Sequence, residues 1–287
     1  MQNNMSYFSD REVSSERVIY TPSTFAKENL IHLQEIGELT ALEQHSSRRQ
    51  NLDSYLFFLV KKGKGILEYD GTPYELGAGD CVFIDCRKKY MHCSSQTDLW
   101  SLQWVHFWGV TMEEIYRKYQ ERGGKPTFGA KVADVYQNRL QMIFSIADSS
   151  DHIRDMRLHE QLSGLLVQLM EETWRPDEHA GVKQLKLQEM KEYIQQHYQE
   201  KLSLEILADQ FFVNKHYLAK IFRECYGITV NNYIMQIRIT RAKQLLRFTD
   251  MDMESIGVQC GIEDSNYFAR IFKKVEGMTP TKYRKMW

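Results

Sequence analysis

Asn214–Tyr233 reads NKHYLAKIFRECYGITVNNY, and fifty residues later Asp264–Tyr283 reads DSNYFARIFKKVEGMTPTKY. Tyr217, Ala219, Ile221, Phe222, Gly227, Thr229 and Tyr233 return as Tyr267, Ala269, Ile271, Phe272, Gly277, Thr279 and Tyr283. Lys220 and Arg223 return as Arg270 and Lys273, so basic character repeats along with the apolar frame. Helical residues three or four apart share a face, which puts Leu218 and Phe222 on one inward edge. Asn214 and Asp264 stand where a helix is capped, and Gly227 and Gly277 where it stops. Each copy is a helix with a buried edge and a basic outer face.

A short helix precedes each copy. Ser203 caps Leu204–Phe211 and Asp252 caps Met253–Cys260. Ala208 is the small residue needed where two helices cross closely, with Leu207, Leu218 and Phe222 filling the core; Ile256, Gly257, Phe268 and Phe272 take those roles in the second copy, with one more residue in the turn. Two helices joined by a tight turn form a helix-turn-helix, whose second helix fits the major groove of DNA. The outward positions are Lys215, His216, Ala219, Lys220 and Arg223 in the first unit. In the second they are Ser265, Asn266, Ala269, Arg270 and Lys273. Lys, Arg, His and Asn hydrogen-bond to base edges, while Ser and Ala allow close approach to a base. Arg238 and Arg241, on the joining helix Asn232–Phe248, are candidates for phosphate contacts, which strengthen salt dependence without specifying sequence. At ~1.5 Å per residue that helix spans roughly 25 Å, which with its turns sets the two reading helices near one DNA repeat of ~34 Å. One basic helix face alone reads as ordinary solvated surface; duplication of core, stops and outward basics together argues for a DNA reader.

Charge supports that division of labour. The 287-residue chain has a formal net charge of -1, but residues 183–287 carry 17 Lys or Arg against 12 Asp or Glu, an excess of +5. Residues 1–182 carry 20 against 26, a balance of -6. A basic C-terminal third on an acidic remainder permits a polyanion-binding domain beside a domain with another task. The five cysteines lack a CxxC pair and read as buried reduced thiols, not a structural zinc site. The first residues lack the apolar core of a signal peptide, and no stretch approaches the ~20 apolar residues of a membrane span. A cytoplasmic location and no membrane association are expected.

Residues 50–110 read as short strands between turns. Tyr55 to Val60 is aromatic and aliphatic, Asp70-Gly71 is a hairpin signal, and Gly77, Gly79 and Asp80 punctuate before Cys81 to Ile84. Leu99 to Phe107 alternates, so Trp104 and His106 share one face and Val105 and Phe107 the other. Short, evenly spaced strands argue for a small antiparallel β-barrel of cupin or jelly-roll type. From Val132 the period becomes helical: Val132, Val135, Tyr136, Leu140, Ile143 and Phe144 make one stripe, and Met156, Leu158, Leu162, Leu165, Leu166, Leu169 and Met170 another, separated by Asp148–Asp151. This pair has more apolar surface than an amphipathic helix needs, so it covers the barrel or meets a second subunit. Pro176 ends its second helix. The expected architecture is two-domain: a barrel over 1–130, a helical dimerisation region over 131–176, a linker at 177–184, and an all-α double helix-turn-helix domain over 185–287.

The segment Gly277-Met278-Thr279-Pro280-x-x-Tyr283-Arg284, with Ile228-Thr229 and Tyr233 in the first copy, resembles the signature of the AraC/XylS family of bacterial transcription regulators. The resemblance runs continuously over Leu185 to Arg284. It implies two helix-turn-helix units joined by a long helix and bound to adjacent major-groove segments of double-stranded promoter DNA, with RNA polymerase contact as a further family expectation. Gly257 stands where the family has alanine and Ile262 where it has phenylalanine. Glycine inside a helix costs about 1 kcal/mol against alanine, so the second unit is expected to be less stable or packed differently. More weakly, Gly77-x-Gly79-Asp80, Tyr90-x-His92 and Trp104-Val105-His106-Phe107-x-Gly109 resemble the cupin-like effector domain of sugar-responsive members, which act as homodimers.

That second resemblance implies a small polar effector, a carbohydrate foremost. Arg49, Glu68, His92, Trp104 and His106 are the candidate effector-binding residues, because charged partners, imidazoles and a flat ring suit hydroxyls and sugar faces. Each has a plainer reading as core or interface. Enzyme chemistry is not expected: His92, His106 and distant His45 make a poor metal triad, and Cys93 or Cys86 with His92 make a poor nucleophilic pair, since neighbours on a strand face opposite ways. No cofactor is implied. The alternative function is a ligand-independent DNA-binding protein whose barrel serves only for dimerisation.

Overall fold

A computed structural model describes residues 5–9, 12–173 and 180–286, in two compact units divided between Arg175 and Pro176. The first unit begins with β1 (Met5–Ser9), β2 (Val13–Ile19), α1 (Thr24–Asn29), β3 (His32–Ala41), β4 (Ser46–Arg49) and β5 (Tyr55–Lys62). It continues with β6 (Gly65–Tyr69), β7 (Thr72–Leu76), β8 (Asp80–Asp85), β9 (Tyr90–Ser94) and β10 (Ser101–Trp108). α2 (Met112–Glu121), β11 (Thr127–Gly129), α3 (Ala133–Asp148) and α4 (Arg154–Thr173) complete it. The strands form a seven-stranded sheet, β1-β2-β3-β10-β5-β8-β11, facing a four-stranded one, β4-β9-β6-β7. All neighbours pair antiparallel. Asp70 and Gly71 both take positive φ, 52° and 80°, as the tight hairpin between β6 and β7 requires.

The larger sheet is covered on both faces, and its composition dictates this. Tyr55 to Val60 is buried at every position, so β5 has no solvent side. Its inward residues Leu56, Phe58 and Val60 pack with Leu102 of β10 and Val82 and Ile84 of β8 against Leu67, Tyr69 and Tyr90 of the smaller sheet. Its outward residues Tyr55, Phe57 and Leu59 pack with Val105, Phe107 and Phe83 against α2, α3 and α4. The helix pair belongs to the same compact unit as the sheets, which corrects the division at residue 130. Tyr136, Leu140, Ile143 and Ala147 of α3 and Leu158, Leu162, Leu165 and Leu169 of α4 are spent on the sheet. Val135, Met142, Met156 and Val167 of the same helices are exposed.

The second unit contains α5 (Ala180–His197), α6 (Leu204–Gln210), α7 (Lys215–Tyr226), α8 (Val230–Phe248), α9 (Met253–Gln259), α10 (Ser265–Glu276) and α11 (Pro280–Met286). α5 begins at Ala180, inside the expected linker: the helix accommodates Gly181 in its first turn and continues through Val182-Lys183-Gln184, which holds no breaker. Residues 177–179 of that linker, and Pro176 with the helix end assigned to it, lie outside the described residues. Two small cores share α8. Leu187, Met190, Ile194, Leu207, Ala208, Leu218, Phe222 and Ile234 form one, and Ile239, Leu245, Ile256, Ile262, Phe268, Phe272 and Tyr283 the other.

The two helix-turn-helix turns differ in their chemistry. The Val213 N–H bonds the Ala208 carbonyl at 2.9 Å, and the Ile262 N–H bonds the Gly257 carbonyl at 2.8 Å. Phe212 holds φ at 52° where the second unit has Gly261 at 73°. A Cβ on Gly257 would lie 2.8 Å from the Ile262 carbonyl oxygen, so glycine at this position admits the turn instead of merely weakening the helix. The helix-propensity cost expected for Gly257 is therefore offset by a closer approach of the turn to α9. Gly257→Ala is expected to lower the melting temperature, although alanine's propensity alone would raise stability by about 1 kcal/mol. A raised melting temperature in thermal unfolding would show that the turn relaxes freely.

Candidate nucleic-acid interface and effector cavity

Both reading helices are built by local rules. The Asn214 side chain accepts from the His216 and Tyr217 N–H groups at 2.9 and 3.1 Å, and Asp264 accepts from Tyr267 N–H at 2.8 Å. Gly227 and Gly277 close the helices with φ of 72° and 76°. Burying Leu218 and Phe222 turns Lys215, His216, Lys220 and Arg223 outward, with Ala219 half-buried among them. Burying Phe268 and Phe272 does the same for Ser265, Asn266, Arg270 and Lys273 around half-buried Ala269.

The two basic faces are not equally free. Lys215 is ion-paired with Glu205 of α6, which pulls that carboxyl down to about 2. Lys220 lies 3.8 Å from Glu224 on its own helix. Arg270 sits 5.9 Å from the Tyr267 ring centroid.

Arg238 departs from the sequence reading. Its guanidinium donates to the carbonyls of Tyr198 and Glu200, each at 2.8 Å, and is half-buried. It closes the chain between α5 and α6 onto α8 and is not an outward phosphate ligand, because carbonyls left bare after a helix end need a donor. Arg284, which the sequence supplied only as part of a signature, does the equivalent work one core later: it donates to Leu246, Thr249 and Met251 carbonyls. Lys243, on the same helix, is committed to Glu276 at 3.0 Å. Arg241 is exposed and touches only its neighbour Gln244, at 3.0 Å, in the bonds resolved for it.

Between the two sheets of the first unit lies a cavity of about 330 Å³. Arg49, His92, Trp104 and His106 line it; Glu68 does not. On β6 the alternation puts Leu67 and Tyr69 inward, so Glu68 belongs to the face shared with exposed Ile66. On β10 the same rule turns Trp104 and His106 to the cavity and Val105 and Phe107 to the helices. Sequence reasoning missed Arg17 and Glu35, because within the barrel domain it read strands only over residues 50–110. The alternation Val13-x-Ser15-x-Arg17 in β2 was the available signal, since β2 and β3 extend the sheet at that edge. It also missed Gly37, which pairs with Trp104 across the strands; a Cβ there would lie 2.7 Å from the indole, so the missing side chain makes the indole's seat.

The cavity's polar groups are specific. His106 Nδ1 is 2.9 Å from Ser54 Oγ, while His92 Nδ1 is buried without a partner. His92 is ringed by Phe58, Tyr90 and Trp100, with centroids at 5.6, 6.4 and 5.8 Å. Burial pushes both imidazoles down, His92 to about 3 and His106 to about 4, and the Arg49 charge acts in the same direction. Among the described residues no group of three His, Cys, Asp or Glu is placed to hold a metal ion, and no helix is long and apolar enough to cross a membrane. Cys81, Cys86 and Cys260 are buried, but Cys93 and Cys225 are only half-buried, short of the full burial expected for all five.

The first unit is a covered antiparallel sandwich enclosing a polar cavity and the second carries paired helix-turn-helix units, the architecture of a DNA-binding regulator with a ligand-binding domain. Residues 32–180 match the model of the AraC-like ligand binding domain, and residues 207–286 match that of a helix-turn-helix domain. The chain belongs to the AraC family of transcription regulators and is not an enzyme. It is similar to the Msm operon regulatory protein of Streptococcus mutans, at 25% identity over 81% of this chain and 84% of that protein. It is similar also to the transcriptional activator RhaS of Yersinia pestis, at 26% identity over 81% and 87%, and to RhaR of Salmonella dublin, at 25% over 79% and 83%.

The two imidazoles give the first unit an acid-side weakness. In the unfolded chain each titrates near ~6.5. Between that value and the folded ones the unfolded state binds more protons, so stability is fully present above ~6.5 and falls with pH, by no more than about 1.4 kcal/mol per pH unit and imidazole. Replacing His92 and His106 together with Gln is expected to flatten the decline in melting temperature between about pH 6.5 and 4.5. An equally steep decline in the variant would place the acid-sensitive groups elsewhere.

Proposed function

We propose that this chain is a sequence-specific transcription regulator that binds promoter DNA through α7 and α10 and responds to a small polar effector, a sugar foremost, held between its sheets. The observation that carries the DNA-reading half is the repetition of one capped, basic-faced helix in two cores built on the same α8. The proposed base-reading residues are Lys220, Arg223, Asn266, Arg270 and Lys273, with His216, Ser265 and the two half-buried alanines in close approach. Lys215 acts through its pair with Glu205 as well as toward DNA, and Arg241 contacts phosphate.

The cavity favours sensing over the alternative in which the barrel only dimerises. An interior filled by its own aromatics would leave no room; here Trp104, His92, His106 and Arg49 surround open space. The volume falls at the low end of known ligand pockets, which suits a molecule of about one sugar ring. The relatives named as the transcriptional activators RhaS and RhaR support the regulatory reading, at 26% and 25% identity. The mechanism requires the effector to bind one arrangement of the protein better than another, since equal affinity shifts nothing.

Selection of operator sequences from a random pool, followed by base-by-base substitution, tests the first half. Arg270→Ala is expected to cost about 1–3 kcal/mol and to relax preference at one base position. Uniform weakening across all sequences would reassign Arg270 to phosphate.

We further propose that the chain is a homodimer in the cytoplasm. Val135 and Met142 lie two turns apart on α3, and Met156 and Val167 are exposed on α4. Met142→Asp should convert a dimer to a monomer in sedimentation velocity. A wild-type chain that sediments as a monomer at all concentrations would remove this part of the reading.

A further inference from the structure

The cavity's walls carry a charge that they do not themselves neutralise. Arg17, Arg48 and Arg49 line it, against a single carboxylate, Glu35. Arg17 is spent: its Nη1 meets Glu35 Oε1 at 3.2 Å, its Nε and Nη2 reach Ser15 Oγ at 3.2 and 3.0 Å, and its guanidinium lies 5.4 Å from the Trp104 ring centroid. His45 meets Glu12 at 3.2 Å. Arg48 pairs across the strands with Met91, and its Nη2 lies 3.6 Å from Met91 Sδ at the rim. Arg49 is different. Among the described residues no carboxylate lies within ion-pair distance of its guanidinium, and it makes no side-chain hydrogen bond to protein.

Register places the exposed Arg49 beside the cavity's other polar groups. On β4, Ser47 and Arg49 stand opposite His92 and Tyr90 of β9, so Arg49 hangs from the edge strand over the same cavity that His92 enters. Its charge acts on both His92 and His106. His92 Nδ1 is buried and unpartnered, and the Ser54 contact occupies His106 Nδ1, leaving its other ring nitrogen for a ligand. An exposed arginine fork lining a cavity matches the paired oxygens of a carboxylate or phosphate, which bind it bidentately. Neutral imidazoles beside it suit hydroxyls, which donate or accept as required.

The geometry points to an effector that is a compact polyhydroxylated anion, its charged group on Arg49 and its hydroxyls on His92 and His106. This rests on the cavity being the effector site, and it narrows the sugar class to acidic or phosphorylated members. A neutral sugar offers that fork no opposite charge.

Thermal shift and calorimetry on the full chain separate the possibilities, with four probe sets at millimolar concentration: neutral hexoses, hexuronates, hexose phosphates and inorganic phosphate alone. A rise in melting temperature with hexuronates but not hexose phosphates identifies a carboxylate effector, and the reverse identifies a phosphorylated one. In either case Arg49→Gln should weaken binding roughly 10- to 100-fold, and Arg49→Lys should restore part of it. A neutral hexose binding as tightly as its acid, or no shift with any anion, overturns the proposal. So does anion binding that Arg49→Gln leaves unchanged. Failure of the broader reading looks different: an Arg49-dependent anion that binds yet leaves operator affinity unaltered would keep the anion site and remove effector sensing.

Discussion

A sheet whose central strands are apolar on both sides must bury both of its faces, and the first unit is organised around that demand. β5 supplies Leu56, Phe58 and Val60 to one side and Tyr55, Phe57 and Leu59 to the other, all buried. One side needs a second sheet and the other needs helices, because no water-facing option exists for either. The smaller sheet answers the first need without matching the larger in width, and the unmatched edge beneath β2 and β3 is where the cavity lies. The cavity is thus a consequence of unequal sheets as much as of any single residue. Gly37 enlarges it locally by leaving the Trp104 ring a place to lie.

The second unit solves the opposite problem. Neither of its cores is large enough to be an ordinary domain, so each relies on α8, which gives Ile234 to one and Ile239, Leu245 and Leu246 to the other. Chain ends entering such small cores expose carbonyls that no helix satisfies. Arg238 and Arg284 meet this need, each by reaching across from a neighbouring helix. A long cationic side chain does well here, since its stem packs along apolar surface while its fork collects several carbonyls. Two arginines in sequence-adjacent basic runs therefore hold the fold, while neighbours such as Arg241 and Arg270 remain exposed.

What could be read in the sequence followed from local rules. Asn214, Asp252 and Asp264 cap the helices they were expected to cap, because capping depends on a side chain and the next three residues. The alternation in β10 set Trp104 and His106 apart from Val105 and Phe107, because strand periodicity is equally local. Arg238 was misread because its helical angle says nothing of carbonyls some forty residues earlier in the chain. Glu68 was misplaced because choosing the inward face of β6 requires knowing which sheet lies opposite. Arg17 and Glu35 were missed because β2 and β3 join the sheet beside β10, a strand far away in sequence. The extra residue in the second turn was legible, but its partner feature, the carbonyl of Ile262 against Gly257, was not.

The alternation in β10 also gives a physical route from the cavity to the rest of the unit. Trp104 and His106 stand on the wall that a ligand would touch, and Val105 and Phe107, one residue away on the same backbone, stand in the core shared with α3 and α4. Close-packed interiors resist small displacements by shifting as a body, not by absorbing them. A ligand that moves the Trp104 ring against Gly37 therefore acts on a strand held from the other side by Tyr136 and the leucines of the helix pair. The same helices expose Met142 and Val167, so cavity, sheet and helix pair form three consecutive layers. A change at the first reaches the third only if the helix pair has two packings of similar energy; with one packing, filling the cavity would stiffen the unit and signal nothing.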